Sequence, residues 1–424
     1  MLDYKLTQFS NGLKLITAPL QNTKAVTVLF LVGVGSRYET KNINGMAHFL
    51  EHMFFKGTKK RPNTLDIART LDAVGASYNA FTSEEHTGFY VRASSEHFDL
   101  GLDILFDMLY HSLFDPAEIE REKGVIAEEI NMYQDTPQAY IAELAKKLFY
   151  GRQPLGWQIS GLKETITKFN RQDFINFRDK FYAPNNMIVA IAGGQNSQDW
   201  QTKVKAFFQK IDLKSRGVCE KVKESQTKPG LLVYHKKTDQ THLILGFRTL
   251  PRTDKRRPIL KVLNNLLGEN MSSRLFTQVR ERRGLAYYVS SEIADFCDAG
   301  ILGASAGVDI KRAEEAVKVI LEEFNRLKNE KVAIAELKKA KENLKGRLYL
   351  GLEESFEVAA YLAEQELFWD KIETPEELIG KYEKVSASDI QQLAREFFTR
   401  GNLNLALIGP FKDKTNFQKI LERF

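Results

Sequence analysis

Residues 166–194 (ITKFNRQDFINFRDKFYAPNNMIVAIAGG) align without gaps onto residues 382–410 (YEKVSASDIQQLAREFFTRGNLNLALIGP) at a constant offset of 216. Lys168, Asp173, Phe181, Asn186, Ala190 and Gly193 recur as Lys384, Asp389, Phe397, Asn402, Ala406 and Gly409. Both copies read as an amphipathic helix ending at an aromatic pair, a turn rich in Gly, Asn or Pro, and an apolar strand running into glycine. A common helix-turn-strand unit arising twice by chance is the competing account; duplication explains the constant offset more simply.

Working outward, the chain divides into domains 1–212 and 229–424, joined by a polar, Lys-rich connecting stretch at 213–228. Strand-like runs open each half, at 13–18 and 26–34 in the first and at 230–235 and 242–248 in the second. Helices alternating with further strands follow. The pattern predicts an α+β fold with two homologous domains, each a mostly antiparallel mixed sheet covered by helices. Strand order stays open.

The 424 residues are too many for one ordinary domain, and 43% apolar with 27% charged residues is a globular composition that excludes disordered, collagenous and membrane-spanning classes. The longest apolar stretch, 26–34, is far short of the roughly twenty residues a bilayer span needs, so no membrane span is expected. Basic residues outnumber acidic by 61 to 55 with the signs interspersed, which forms no stripe for nucleic acid. Two cysteines, Cys219 and Cys297, give neither a disulfide framework nor a thiolate metal site. With no secretory layout at the N-terminus, a cytoplasmic location is expected.

Chemistry concentrates in residues 44–57 (NGMAHFLEHMFFKG), which read as a helix with Asn44 as N-cap and Gly57 just past its end. At helical spacing His48 and His52 lie about 40° apart and Glu51 about 60° to the other side of His48, so all three point into one region. Two imidazoles so placed can share one zinc ion, with the carboxylate near enough to hold and deprotonate an attacking water. A helix with two incidental histidines is the bland alternative. A third ligand is sought in 115–134, where Asp115, Pro116 and Glu118 make a capping-box-like start. Glu122 and Glu129 fall within about 20° of one another, and Glu128 about 120° away from Glu122. Glu129 is therefore the better ligand, with Glu122 placed to orient an imidazole or the water, and Glu118, Glu120 and Glu128 on a solvated face. His86, His97, His111, His235 and His242 have no ligand spacing.

Over nearly its whole length the chain resembles the pitrilysin and insulin-degrading-enzyme superfamily of zinc peptidases, and in particular bacterial relatives of the mitochondrial processing peptidase β subunit. Those proteins carry His-x-x-Glu-His followed by a glutamate ligand at the separation seen here, 76 residues between His52 and Glu129. The resemblance implies one Zn2+ per chain held by His48, His52 and Glu129, with Glu51 as general base and Glu122 as supporting acid. It implies two related domains forming half of a clamshell, and a homodimer, or a heterodimer with a related chain, around a chamber. The offset of 216 sets Asn264, Leu267 and Gly268 against His48, Glu51 and His52, so the second copy has no metal set.

The stretch 274–288 (RLFTQVRERRGLAYY) resembles the superfamily's second-domain Arg…Tyr signature, which implies Arg280 and Tyr287 as catalytic, substrate-contacting residues, with Phe276 beside them. Without the resemblance, Arg280 reads as a helix-surface charge and Tyr287 as a core aromatic. Residues 75–82 (GASYNAFT) resemble the edge strand on which a peptide is added, which implies Asn79, Ala80 and Phe81 as substrate-binding. The implied activity is that of a zinc metalloendopeptidase hydrolysing short or unfolded peptides inside an enclosed chamber. The alternative is a non-catalytic structural or partner subunit; inactive relatives typically lack part of the metal set, and this chain has all of it. Peptide tailoring in a biosynthetic pathway shares the chemistry. Glu118, Glu122 and Glu128 suggest a preference for basic peptides.

Overall fold

Strand β3 (Ala25–Val32) is apolar at every position but Thr27 and is buried on both faces, which requires a helical layer on each side of its sheet. The computed structural model describes residues 2–194, 199–214 and 217–424; residues 215 and 216 of the expected connecting stretch lie outside that description. Two compact units are present.

In the first unit, strands β1 (Lys5–Gln8), β2 (Lys14–Pro19), β3, β4 (Ser77–Thr82), β5 (Thr87–Ser94) and β6 (Met187–Gly193) form one sheet in the order β1-β2-β6-β3-β5-β4. Only β2 and β6 run parallel. In the second unit, β7 (Gly230–His235), β8 (Thr241–Thr249), β9 (Ala286–Asp295), β10 (Gly300–Val308) and β11 (Leu403–Gly409) form a sheet in the order β7-β11-β8-β10-β9, with only β7 and β11 parallel. Apart from β1 the two orders are the same topology, and the fold is the α+β arrangement of mostly antiparallel sheets covered by helices that the sequence predicts.

The repeat persists at the level of single hydrogen bonds. Helix Arg171–Phe181 and β6 stand 216 residues before helix Ala387–Phe397 and β11, end for end. Asn170 and Ser386 cap the two helices, each in a capping box with the aspartate three residues on. After the helix, the Asn186 amide donates to the Phe181 carbonyl at 2.9 Å, and the Asn402 amide donates to the Phe397 carbonyl at 3.0 Å.

The compact units nevertheless cut across the contiguous halves 1–212 and 229–424. The first unit also takes Tyr349–Thr374, and the second takes Met132–Gly156. Packing gives the reason. Val26, Val28, Phe30 and Val32 face the core that contains helix Met46–Phe54. Leu29 and Leu31, with Ile188, Ala190 and Ala192, face the other way, onto Val358, Ala359, Leu362 and Ala363 of helix Ser355–Trp369. Thr27, the one polar residue of β3, shares a hydrogen bond of 2.8 Å with Ser355 at the start of that helix. The second sheet is treated likewise: Leu403, Leu405 and Leu407 face one core, while Ala406 and Ile408 pack against Ile141, Leu144 and Ala145 of helix Pro137–Tyr150. Each sheet thus has one face covered by a helix from the other half of the sequence.

Leu362 is 1% exposed, so Leu362→Ala removes a buried anchor of this covering layer. The variant is expected to lose about 2–5 kcal/mol of unfolding free energy in urea titrations. A loss below about 0.5 kcal/mol, the scale of an exposed-site change, would show that this helix does not hold the sheet.

Candidate metal centre

Helix Met46–Phe54 buries Met46, Ala47, Phe49, Leu50, Met53 and Phe54, which leaves His48, Glu51 and His52 together on its other side. Its start differs from the expectation of an Asn44 N-cap. The cap is Gly45, at φ 98°, and the Asn44 side chain is turned away, donating to Glu39 Oε2 at 3.0 Å and to the Gln158 carbonyl at 3.0 Å. Capping is done by the buried Glu39 carboxylate, which accepts the backbone N–H of Gly45 at 2.8 Å and of Ala47 at 2.7 Å. Burial pushes the Glu39 carboxyl up to about 8 against the pull of these donors. Gly45 is required here, since a Cβ would sit 2.8 Å from the Ser160 carbonyl oxygen and the backbone is left-handed. At the other end the C-cap is Phe55, and Gly57, at φ 117°, follows two residues later.

Helix Pro116–Asp135 supplies the acids, and Asp115 caps it by accepting the Ala117 N–H at 2.8 Å. Its periodicity turns Glu122 and Glu129 to the same side as the histidines. His48 Nε2 lies 3.6 Å from Glu129 Oε1, and His52 Nε2 lies 3.7 Å from Glu129 Oε2. These separations are too long for hydrogen bonds. They suit ligands about 2.0–2.2 Å from one shared tetrahedral ion. Among the described residues, His48, His52 and Glu129 are the one group of three whose ligand atoms lie mutually within 4.8 Å. The donor set, two imidazoles and one carboxylate, is one that zinc accepts while keeping a position open.

Electrostatics favour neutral imidazole at His48. Burial, then the neighbouring His52, pulls it down to about 3. For His52 burial acts downward, but the bond to Glu122 and the surrounding carboxylates outweigh it and raise the group. Glu122 Oε1 is 2.8 Å from His52 Nδ1, and Glu122 Oε2 is 2.7 Å from Lys56 Nζ. Burial would raise Glu122, yet these two contacts hold it below the usual carboxylate range. Burial raises both Glu129 and Glu51.

Of the anticipated residues, His48, Glu51, His52, Glu122 and Glu129 are all in this cluster of the first unit. Asn79, Ala80 and Phe81 lie in β4, an edge of the first sheet; Asn79 is exposed, whereas the Phe81 ring lies over Gly88 of the neighbouring strand. In the second unit, Phe276, Arg280 and Tyr287 come together. The Arg280 guanidinium is 4.9 Å from the Phe276 ring centroid and 5.9 Å from that of Tyr287. Phe276 is buried, and Tyr287, the second residue of the edge strand β9, is 75% exposed, which overturns the core-aromatic reading. Two of the three acids proposed to favour basic peptides are already paired, Glu118 with Arg121 and Glu122 with Lys56.

Three contributors escaped the sequence reading: Glu39, Lys56 and Thr82, whose hydroxyl donates to Glu51 Oε2 at 2.5 Å. Lys56, four residues after His52, was open to the same face argument as the ligands. Nothing in the sequence pairs Glu39 or Thr82 with the helix.

Residues 14–162 match the family Insulinase (Peptidase family M16), and residues 168–344 match Peptidase M16 inactive domain. The Uncharacterized zinc protease YmxG of Bacillus subtilis is 37% identical over 400 residues, 94% of this chain and 97% of its own. The chain belongs to the M16 peptidase family. Another relative, the Uncharacterized zinc protease SCO5738 of Streptomyces coelicolor, is 34% identical over 96% of this chain and 90% of its own. Among solved structures, a protease from Helicobacter pylori matches with a TM-score of 0.91 and 25% identity, covering 96% of this chain and all of that one. A Peptidase M16 inactive domain structure from Pseudomonas fluorescens, 18% identical with a TM-score of 0.87, shares the fold. These M16 relationships and relatives named zinc proteases agree with a zinc peptidase of M16 type.

Removing the Glu122 carboxylate would free His52 Nδ1 and leave the Lys56 ammonium without this partner. Glu122→Ala is therefore expected to bind zinc about 10- to 100-fold more weakly in chelator competition. Unchanged affinity would deny Glu122 a supporting role.

Proposed function

We propose that this chain is a zinc metalloendopeptidase that cuts extended, unfolded peptides. The observation that carries the reading is the approach of both histidine Nε2 atoms to the two oxygens of Glu129, with Glu51 on the same helix face. His48, His52 and Glu129 are proposed as ligands. Zinc held there supplies Lewis acidity, polarising a peptide carbonyl and lowering the pKa of a water toward about 7.

The remaining work falls to side chains. Glu122 takes the Nδ1–H of His52 as a hydrogen bond, which commits the Nε2 lone pair to the ligand position. Lys56 balances the charge of Glu122. Glu51 accepts a proton at its carboxylate from the attacking water and passes it to the departing amine. Its burial raises the carboxyl, bringing it nearer the range in which it can both take and give a proton. The outer edge of β4 leaves main-chain groups for an added strand, a mode of binding nearly blind to side-chain sequence, with Asn79, Ala80 and Phe81 as its contacts. Arg280 and Tyr287 are proposed as further substrate contacts. The match of residues 168–344 to a domain named inactive fits the Asn264, Leu267 and Gly268 found at the offset of the metal set.

Zinc-loaded protein is expected to cleave a quenched unstructured peptide, to spare a folded protein of the same sequence, and to stop with chelator. Glu51→Gln is expected to keep its zinc and lose about 10²- to 10⁴-fold in kcat, because an amide cannot take up the proton. Full cleavage by that variant would refute the assignment of the base.

A further inference from the structure

The Glu51 carboxylate is not held by its own helix alone. Thr82, which donates to its Oε2, is the last residue of β4 and so marks the end of the open edge of the first sheet. Five consecutive residues, 35–39, brace both partners of this hydrogen bond. On the hairpin side, Ser36 N–H donates to the Ser83 carbonyl at 3.1 Å and Arg37 N–H to the Glu84 carbonyl at 2.9 Å. The buried Arg37 guanidinium donates to Glu85 Oε1 at 2.8 Å. Gly35 allows this approach, for a Cβ there would stand 2.1 Å from the Ser83 carbonyl oxygen. On the helix side, Glu39 anchors Gly45 and Ala47.

One short segment therefore fixes the turn that carries Thr82 and the helix that carries Glu51. A β-branched side chain on so braced a strand has little χ1 freedom, and its hydroxyl is preset rather than recruited. We propose that Thr82 is a positioning residue for Glu51. By occupying Oε2 it selects one carboxylate orientation and leaves Oε1 for the proton of the attacking water. A peptide paired along β4 would end its ladder beside this contact, so the residue that ends the docking edge also aims the base. The inference rests on Glu51 being the base of the proposed peptidase.

Thr82→Val keeps the shape and removes the hydroxyl, whereas Thr82→Ser keeps the hydroxyl. With zinc-loaded protein and an unstructured peptide, Thr82→Val is expected to lose about 10- to 100-fold in kcat with KM within about twofold of wild type. Zinc content per chain should be unchanged, and Thr82→Ser should recover most of the rate. Independently of turnover, urea midpoints of zinc-free Thr82→Val, Glu51→Ala and the double variant should be non-additive. A Thr82→Val enzyme with wild-type kcat, equal losses in the Val and Ser variants, or additive midpoints would each overturn the inference. A zinc-bound wild type that cleaves no peptide overturns the peptidase reading itself, which separates the two failures.

Discussion

A strand that is apolar on both faces cannot be left with one face in water, and β3 and β11, each flanked by strands on both sides, are buried along their length. At about 25 cal/mol for each Å² of apolar surface, a whole bare sheet face would cost more than the marginal net stability of an ordinary domain. The chain meets the requirement by covering each sheet twice: once with helices from its own half and once with a helix from the other half. Everything at the metal centre stands on the first of these layers, because helix Met46–Phe54 can present His48, Glu51 and His52 only while Phe49, Leu50 and Met53 are locked into the core beneath.

The site then shows how a short helix is made accurate. Nine residues give little intrinsic helical stability, and this helix has no side-chain cap at its own N-cap residue. A buried carboxylate from outside, Glu39, supplies the missing acceptor. The imidazole of His52 is held through Glu122, which is itself held by Lys56, just past the end of the histidine helix. His52 and Glu51 are thereby each fixed by a second residue, Glu122 and Thr82.

Much of this was legible in the sequence because it is local. The repeat at offset 216 survives as matched helices, strands, capping boxes and Asn amide bonds, all set by residues within a few positions of one another. Helical spacing brought His48, Glu51 and His52 together, and the same rule chose Glu129 over Glu128. What could not be read is what depends on distant partners. The Asn44 cap was a reasonable local choice, but Glu39 took its place and Asn44 was drawn to Glu39 and Gln158 instead. Thr82 meets Glu51 across an element boundary, and the exchange of helices Pro137–Tyr150 and Ser355–Trp369 leaves no mark in periodicity, since either would suit an apolar face in its own half. Tyr287 misled for a related reason, because an aromatic in an edge strand reads from sequence like one in the middle of a sheet.

The exchanged helices also govern when the molecule can finish folding as it is made. By the time residue 193 has left the ribosome all six strands of the first sheet exist, yet the side of that sheet formed by Leu29, Leu31 and Ile188 has no cover until residues 355–369 have followed. At about 5–20 residues per second that is an interval of roughly ten to thirty seconds during which an apolar surface is exposed to solvent or to any chaperone present. The nascent first half is thus a client waiting for its own distal sequence, and closure of the sheet, a contact of long sequence separation, falls among the last events of synthesis.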